Sequence, residues 1–177
     1  MANPLRVQVS ELLRRPGSDK PFDLLVAIAD LGLDDDRFVA TEPVEVHLSL
    51  ESLTDGIVVN GRIDATWHGT CRRCAMPAEG ALRSEVHELY QIVVTDPEAF
   101  ELTGDQLDLE PMVREVLVLD APVSPLCRDD CAGLCPSCGI DRNTGSCDCV
   151  DEPNDSPWSA LDVLKHLGGL STPDPGT

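Results

Sequence analysis

Aromatic residues, basic residues and long apolar runs are all scarce in this sequence of 177 residues. Aromatic side chains make up only 3% of the chain, so its core must be built from Leu, Val, Ile and Ala. There are 13 Lys and Arg against 32 Asp and Glu, which gives a formal net charge of −19. Such a surface repels phosphate groups at long range, which argues against a generic binder of nucleic acids or anionic membranes.

No part of the sequence has the pattern of a membrane-spanning or secretory segment. Its apolar stretches fall well short of the ~18–20 residues that a transmembrane helix needs. The first residues, Met1 to Ser10, lack the basic-then-apolar pattern of a signal peptide. We therefore expect a cytoplasmic protein. Cysteines stay reduced in that compartment and serve as metal ligands or catalysts before they serve in disulfides.

The acidic residues are concentrated in the second half of the chain. Residues 96–155 carry −12 of the formal charge of −19. Together with the patterns described below, this suggests four segments. They are a β-rich domain with the first Cys-x-x-Cys (1–95), an acidic linker and helix (96–126), a cysteine-rich zinc module (127–155), and a C-terminal helix with a frayed tail (156–177).

The first half shows the alternation that is typical of β-strands. Val44–Leu50 and Ile57–His68 place apolar and polar side chains on opposite faces, and the intervening Asp55-Gly56 favours a hairpin turn. Further strands are predicted at three segments: Leu5–Val9, Leu24–Leu31 and Leu82–Val94. The second of these could equally be a short helix. We expect an α+β fold whose first half is an antiparallel sheet or open barrel of roughly five strands.

Two helices are predicted in the second half. Asp108 can cap a helix whose apolar residues recur at helical spacing from Leu109 to Leu117, with Pro111 in its first turn. Ser156 and Pro157 have the residue types that begin another helix, and Gly168-Gly169 ends it.

Eight cysteines carry the chemistry, and they fall into four close pairs: Cys71 and Cys74, Cys127 and Cys131, Cys135 and Cys138, and Cys147 and Cys149. A structural zinc ion takes four ligands, so eight thiolates predict two structural zinc sites with none left over. Cys135-Pro-Ser-Cys138-Gly139 is a zinc-knuckle sequence, and its nearest partner pair follows after a turn-rich loop. We assign these four to site B: Cys135, Cys138, Cys147 and Cys149.

The remaining four cysteines form site A: Cys71, Cys74, Cys127 and Cys131. Cys71-Arg-Arg-Cys74 lies between two predicted strands, so this knuckle would itself be a hairpin turn. The long loop that site A closes adds only about 1–2 kcal/mol of entropy cost relative to a short loop. Zinc binding contributes on the order of 10 kcal/mol, so site A would hold the acidic half against the sheet. Interleaved pairing of the second-half cysteines stays open as an alternative.

Other roles for the cysteines are weaker. A thioredoxin-type redox pair needs a helix N-terminus after a strand, whereas Cys71 lies between two strands. A catalytic zinc ion needs an open fourth position and a nearby base; His68 and Glu79 lie close to the first pair in sequence. Eight thiols are enough to close both sites, and no phosphate loop or hydrolase motif is present in the sequence. We expect no catalytic residue.

Four of the 13 basic residues lie within or between the cysteine pairs: Arg72, Arg73, Arg128 and Arg142. Arginine can compensate the net negative charge of a zinc ion bound by four thiolates, and we favour this role. Alternatively, site A brings Arg72, Arg73 and Arg128 together as a small cationic spot that meets an RNA phosphate or another partner.

Several motifs in this order resemble a known family. They are Cys71-Arg-Arg-Cys74, Leu119-Asp-Ala-Pro-Val-Ser-Pro-Leu-Cys127, Cys131-Ala-Gly-Leu-Cys-Pro-Ser-Cys-Gly139, Cys147-Asp-Cys149 and Pro157-Trp-Ser-Ala-Leu161. Together they resemble the YceD family, the large-subunit ribosomal RNA accumulation proteins. The resemblance implies a cytosolic, non-enzymatic factor that is needed for 23S rRNA accumulation and hence for assembly of the large ribosomal subunit.

The charge of the chain indicates how such a factor would act. An acidic protein is poorly suited to grip bare rRNA, but it can hold a basic ribosomal protein or cover a basic patch on the large-subunit precursor. We therefore expect a protein partner, and neither a membrane nor a small-molecule substrate. Direct binding of 23S rRNA through the arginines of site A is the alternative, followed by a zinc-dependent enzyme such as a nuclease.

Overall fold

The alternating segments of the first half form strands, and the computed structural model describes them within residues 3–149. The elements, in chain order, are β1 (Arg6–Gln8), α1 (Ser10–Leu13), β2 (Asp19–Ala27), a 3₁₀ turn (Ile28–Leu31), β3 (Pro43–Ser52), β4 (Gly56–Thr70), β5 (Pro77–Gln91), β6 (Phe100–Glu101), β7 (Gln106–Asp108) and α2 (Glu110–Asp120). The chain divides after Cys131 into two units, and all of these elements belong to the first.

Five strands form the main sheet in the order β2-β3-β4-β5-β6. The first four are antiparallel to one another, and β6 runs parallel to β5. Alternate side chains of β3 are buried, the buried residues of β4 lie in its first half, and Val46 lies opposite Ile63 in the register. The α+β prediction, with an antiparallel sheet in the first half, is therefore confirmed, although β6 makes the sheet a mixed one.

The strands differ from the sequence prediction in their pairing. The segment predicted at Leu5–Val9 contains β1, but β1 pairs with β7 in a separate two-stranded sheet. The fifth strand of the main sheet is β6, which the sequence analysis did not predict. The ambiguous segment Leu24–Leu31 is a strand that turns into a 3₁₀ helix at Ile28.

The predicted helix of the acidic segment is α2. Its buried residues Met112, Val113 and Leu117 recur at helical spacing and join the main core of the first unit. The Asp108 carboxylate accepts a hydrogen bond from the Glu110 N–H at 3.1 Å, which satisfies one of the helix's free amide groups. The second predicted helix, from Ser156 onward, lies outside the described residues. Among residues 3–149, no helix is long and apolar enough to cross a membrane.

Arg37 connects the loop before β3 to the end of α2. Its guanidinium forms an ion pair with Asp35 at 2.6 Å and donates hydrogen bonds to the carbonyl oxygens of Ala121 at 2.7 Å and Val118 at 3.0 Å. The last carbonyl groups of a helix have no partner within the helix, so a cation there is stabilising. The hydrogen bonds from Arg37 also hold the pKa of the Asp35 carboxyl below its usual value.

The core next to β6 contains the aromatic pair Tyr90 and Phe100. Their rings stack with centroids 5.1 Å apart. Tyr90 is only 1% exposed, and its hydroxyl group finds no hydrogen-bond partner among the described residues. Burial, followed by the nearby charges of Glu88 and Asp108, raises the pKa of this hydroxyl.

Candidate metal centres

Site A lies at the turn of the β4–β5 hairpin. The turn supplies Cys71 and Cys74, and the segment after α2 supplies Cys127 and Cys131. The four Sγ atoms all lie within 4.8 Å of one another. The Sγ atoms of Cys71 and Cys131 are 3.8 Å apart, and those of Cys74 and Cys127 are 3.6 Å apart. These are the four cysteines that the sequence analysis placed together.

Most of site A is shielded from solvent. Three of its cysteines are buried, and Cys127 is exposed. The buried ones form a small core of their own with Ala78, against which Trp67 and Leu126 pack. Site A is therefore a part of the packing of the first unit.

The hairpin turn positions the first two thiols through backbone hydrogen bonds. The Cys71 N–H donates to the Met76 carbonyl at 2.8 Å, and the Ala75 N–H donates back to the Cys71 carbonyl at 2.9 Å. Closing this turn requires a positive φ of 58° at Ala75. This conformation costs a residue with a side chain roughly 1 kcal/mol or more relative to the ordinary helical region.

Site B has the same turn within the second unit. The Cys135 N–H donates to the Ile140 carbonyl at 2.8 Å, and the Gly139 N–H donates to the Cys135 carbonyl at 2.9 Å. Gly139 has a φ of 74°, so it occupies the position that Ala75 has in site A. The knuckle at Cys135 can be recognised in the sequence because glycine, which readily adopts a positive φ, follows Cys138. Alanine gives no such signal, so the positive φ at Ala75 is visible only in the structure.

The four cysteines of site B form a second cluster, again with all Sγ atoms within 4.8 Å of one another. Its members are Cys135, Cys138, Cys147 and Cys149. Cys135 is buried, whereas Cys138 and Cys149 are exposed and Cys147 is intermediate. The Arg142 guanidinium lies 3.6 Å from the Cys135 sulfur. Site B is thus more open to solvent than site A.

Backbone amide groups prepare one thiol of each cluster for ionisation. Burial raises the pKa of the Cys71 thiol, but hydrogen bonds from neighbouring backbone N–H groups outweigh burial and lower this pKa to about 6. Hydrogen bonds from the N–H groups of Cys138 and Ser137 lower the pKa of Cys135 to about 6 as well. One cysteine in each knuckle therefore favours the thiolate form, which is the form that binds metal ions.

The pKa is raised at four of the other thiols: Cys74, Cys127, Cys147 and Cys149. Desolvation, followed by the sulfur of Cys74, raises the pKa of Cys127 to about 12. In site B, the sulfur atoms of Cys138 and Cys147 raise the pKa of Cys149 to about 12. Four thiolates this close together repel one another, and a divalent cation between them removes that repulsion.

The geometry of both clusters fits a four-coordinate ion. A tetrahedral zinc site with Zn–S bonds of about 2.3 Å separates its sulfur atoms by roughly 3.8 Å. The distances of 3.6 Å and 3.8 Å in site A agree with this value. They are far longer than the ~2.05 Å of a disulfide bond, and all eight cysteines are free. Each cluster can thus hold one metal ion.

Two of the three arginines near site A, Arg73 and Arg128, contact residues 129–131 through their side chains. Arg73 donates hydrogen bonds to the carbonyl oxygens of Cys131 at 2.9 Å and Asp129 at 3.5 Å. Arg128 forms an ion pair with Asp130 at 3.1 Å. Arg72 uses its backbone N–H to bind the Pro125 carbonyl at 3.0 Å, and its side chain is exposed.

His68 and Glu79 are close to site A in sequence, but they interact mainly with each other and with Glu42. The His68 Nε2 atom lies 2.9 Å from the Glu42 carboxylate, and its Nδ1 atom lies 3.6 Å from that of Glu79. Neither residue belongs to the cluster of four sulfur atoms. The four thiols complete site A without them.

The fold and the two clusters define an α+β protein with two four-cysteine groups that can each hold a metal ion. Residues 59–165 match the family described as "Large ribosomal RNA subunit accumulation protein YceD". This match spans more than half of the chain and all eight cysteines. The chain therefore belongs to the YceD family.

Two mycobacterial proteins are similar to the chain over most of its length. An uncharacterized protein of Mycobacterium tuberculosis, Rv2926c, is 30% identical over 148 residues, which cover 79% of this chain and 72% of the relative. An uncharacterized protein of Mycobacterium leprae, ML1660, is 26% identical and covers 78% of this chain and 68% of the relative.

A relative that matches a shorter stretch of the chain has a functional name. It is the "Large ribosomal RNA subunit accumulation protein YCED homolog 1, chloroplastic" of Arabidopsis thaliana, 28% identical over 61 residues, or 34% of this chain and 19% of the relative. No solved structure is significantly similar to the chain.

Proposed function

We propose that this protein is a non-enzymatic factor that supports accumulation of the large-subunit ribosomal RNA during ribosome assembly in the cytoplasm. The observation that carries this proposal is the match to the YceD family over residues 59–165, which contains both four-cysteine clusters. In this proposal the clusters maintain the shape of the protein, and the acidic surface does the binding.

The metal in both sites is proposed to be a structural zinc ion. Four thiolates at tetrahedral spacing are typical of zinc, and they leave no open position for a substrate or a reactive water molecule. Cys71, Cys74, Cys127 and Cys131 would hold one ion, and Cys135, Cys138, Cys147 and Cys149 the other. Zinc would supply folding free energy and neutralise thiolate charge. Metal analysis of the purified protein should find two zinc ions per chain, and iron would contradict the proposal.

The partner is proposed to be a basic ribosomal protein on the large-subunit precursor. The formal net charge of −19 supports this choice, because the phosphate backbone of rRNA is repelled by the same surface that attracts lysine and arginine. No membrane and no small-molecule substrate are part of the proposal.

Depletion of the protein tests the function directly. We expect depleted cells to lose 23S rRNA and mature large subunits, and the wild-type chain to restore both. A pull-down with tagged protein, with and without RNase, then tests the partner. Recovery of large-subunit proteins after RNase treatment supports a protein partner, whereas recovery of naked rRNA alone contradicts it.

The alternative proposal is direct contact of Arg72, Arg73 and Arg128 with 23S rRNA. The exposure of Arg72 at the hairpin turn favours it, whereas the engagement of Arg73 with two carbonyl groups favours a structural role for that residue. An R72E variant separates the two proposals, with K20E as a control that makes the same charge change away from site A. Loss of rRNA rescue in R72E alone would support direct binding.

A further inference from the structure

An open groove of about 650 Å³ lies between β5, the residues before β6, and α2. It is part of the first unit and lies away from the cysteines of site A. Five carboxylates line it, those of Glu85, Glu88, Glu98, Glu115 and Asp120. We call it the acidic groove.

The floor of the acidic groove is apolar. Met112, Val116 and Leu119 follow one another at helical spacing along α2, and Phe100 of β6 lines the same groove. Met112 is fully buried, whereas Leu119 is 71% exposed. An exposed leucine beside a half-buried phenylalanine and valine offers apolar surface that another molecule can cover.

The rim of the acidic groove is negatively charged, and two of its carboxylates have a basic neighbour outside the lining: Arg83 interacts with Glu85, and His87 with Glu88. It holds five carboxylates, and no lysine or arginine is among the lining residues. Within residues 3–149, no ion pair joins a basic side chain to Glu88, Glu98 or Glu115. Burial, and then the charge of Glu115, raise the pKa of Glu88; His87 lowers it, and Glu98 raises it further. Like charges placed this close together disfavour the ionised form.

We propose that the acidic groove is the docking site for a basic amphipathic segment of a ribosomal protein, whose apolar side chains cover Leu119 and Val116 while its lysines and arginines meet the carboxylate rim. This inference rests on the proposed function, and it specifies where the basic partner binds. A cation brought to this rim relieves the repulsion among the carboxylates, and the apolar floor adds buried area.

The acidic groove is unsuited to binding RNA. RNA would bring phosphates against five carboxylates and would find no basic residue in the lining. A small cation alone would leave the apolar floor uncovered. A segment with both basic and apolar side chains matches both parts of the surface, as helices that lie in grooves commonly do.

The test uses the full-length, zinc-loaded protein and fluorescent peptides that tile the large-subunit ribosomal proteins of the same organism. The groove variant combines E98K, E115K and D120K. The matched control combines D30K, D36K and E51K, three exposed acidic residues outside the groove, and changes the net charge equally. Affinity is measured by fluorescence anisotropy, and thermal melting establishes that each variant is folded.

We expect the groove variant to bind its best peptide at least about tenfold more weakly than the wild type, and the control to lose no more than about threefold through long-range attraction. L119S changes no charge and should weaken binding by about threefold or more. A photo-crosslinker at position 119 should join a lysine- or arginine-rich peptide. L119S and the crosslink keep the inference testable even if the triple variant misfolds.

The other outcomes contradict either the docking site or the partner. Equal losses in the groove variant and the control, or a crosslink from position 119 to this chain or a second copy of it, overturn the acidic groove as the docking site. These two outcomes do not contradict a ribosomal protein as the partner. If the wild-type protein binds none of the peptides, the partner in the proposed function is wrong as well.

Discussion

Removing one exposed ligand should release the segment between α2 and site A. Residues 122–131 contain no helix or strand, and few hydrogen bonds join them to the hairpin. Arg72 donates its N–H to the Pro125 carbonyl at 3.0 Å, and the Arg73 side chain donates to the Cys131 carbonyl at 2.9 Å. Cys127 is exposed, so its replacement by serine removes a ligand without leaving a hole in the core.

The magnitudes indicate that the metal decides whether this segment is ordered. Fixing about ten residues costs about 10–20 kcal/mol of conformational entropy. The hydrogen bonds return about 1 kcal/mol each. Burial of Leu126 and its neighbours adds about 2–3 kcal/mol. A structural zinc ion contributes about 10–16 kcal/mol, which supplies the remainder. Loss of the ion therefore shifts the balance toward a disordered segment.

Metal analysis combined with hydrogen exchange measures the effect. We expect C127S to bind one zinc ion per chain instead of two, and its amides in 122–131 to exchange at least about 100-fold faster. The β3 and β4 amides should stay protected. C149S is the control, since it should lose the ion of site B and leave 122–131 protected. C127S protein with two zinc ions, or with one and unchanged exchange in 122–131, would refute the reasoning.

Four further changes test other parts of the structure. A chelator should remove the metal of site B before that of site A, because three of the site A cysteines are buried and only one of those of site B is; a chromophoric zinc indicator follows the release, and the reverse order would contradict this. A75G should raise the free energy of unfolding by about 1 kcal/mol in thermal melts of the zinc-loaded protein, because glycine adopts a positive φ without strain. Y90F should leave stability unchanged or raise it by up to about 1 kcal/mol in urea, since it removes a buried hydroxyl without a partner; a loss would reveal a partner. R37A should cost about 2 kcal/mol at neutral pH, where Asp35 is ionised. The loss should shrink as the pH falls below about 4, because the unfolded chain then protonates Asp35 while Arg37 keeps the pKa of the folded carboxyl lower; an equal loss at neutral and acidic pH would contradict this.

The sequence could predict whatever depends on local periodicity. The strands β3 and β4 alternate apolar and polar residues, and Asp55-Gly56 marks the turn between them. The two cysteine clusters could also be predicted, because the spacing of each pair brings its own sulfur atoms together and eight thiols divide evenly between two ions. The strands and the spacing within each cysteine pair depend only on neighbouring residues, whereas the partner pairs of site A, separated by 52 residues, are assigned by elimination.

The remaining features depend on contacts between distant residues. β6 has only two residues, which is too short for any periodicity to show. Phe100 belongs to a strand because it pairs with Tyr90 of β5. β1 pairs with β7 across most of the first unit, which no local pattern reports. The acidic groove also depends on such distant contacts, because it forms only when the residues before β6 lie near α2. In the sequence its carboxylates look like ordinary solvated residues.

The position of site A at a hairpin turn has a consequence for synthesis of the protein. The two thiols at the turn leave the ribosome together, whereas the next ligand, Cys127, follows Cys74 after 52 intervening residues. At about 5–20 residues per second, that interval lasts about 3–10 s. During this time the nascent chain presents two thiols of site A without their partner ligands. Completion of site A is therefore limited by translation, and its most vulnerable moment to oxidation comes before the chain is finished.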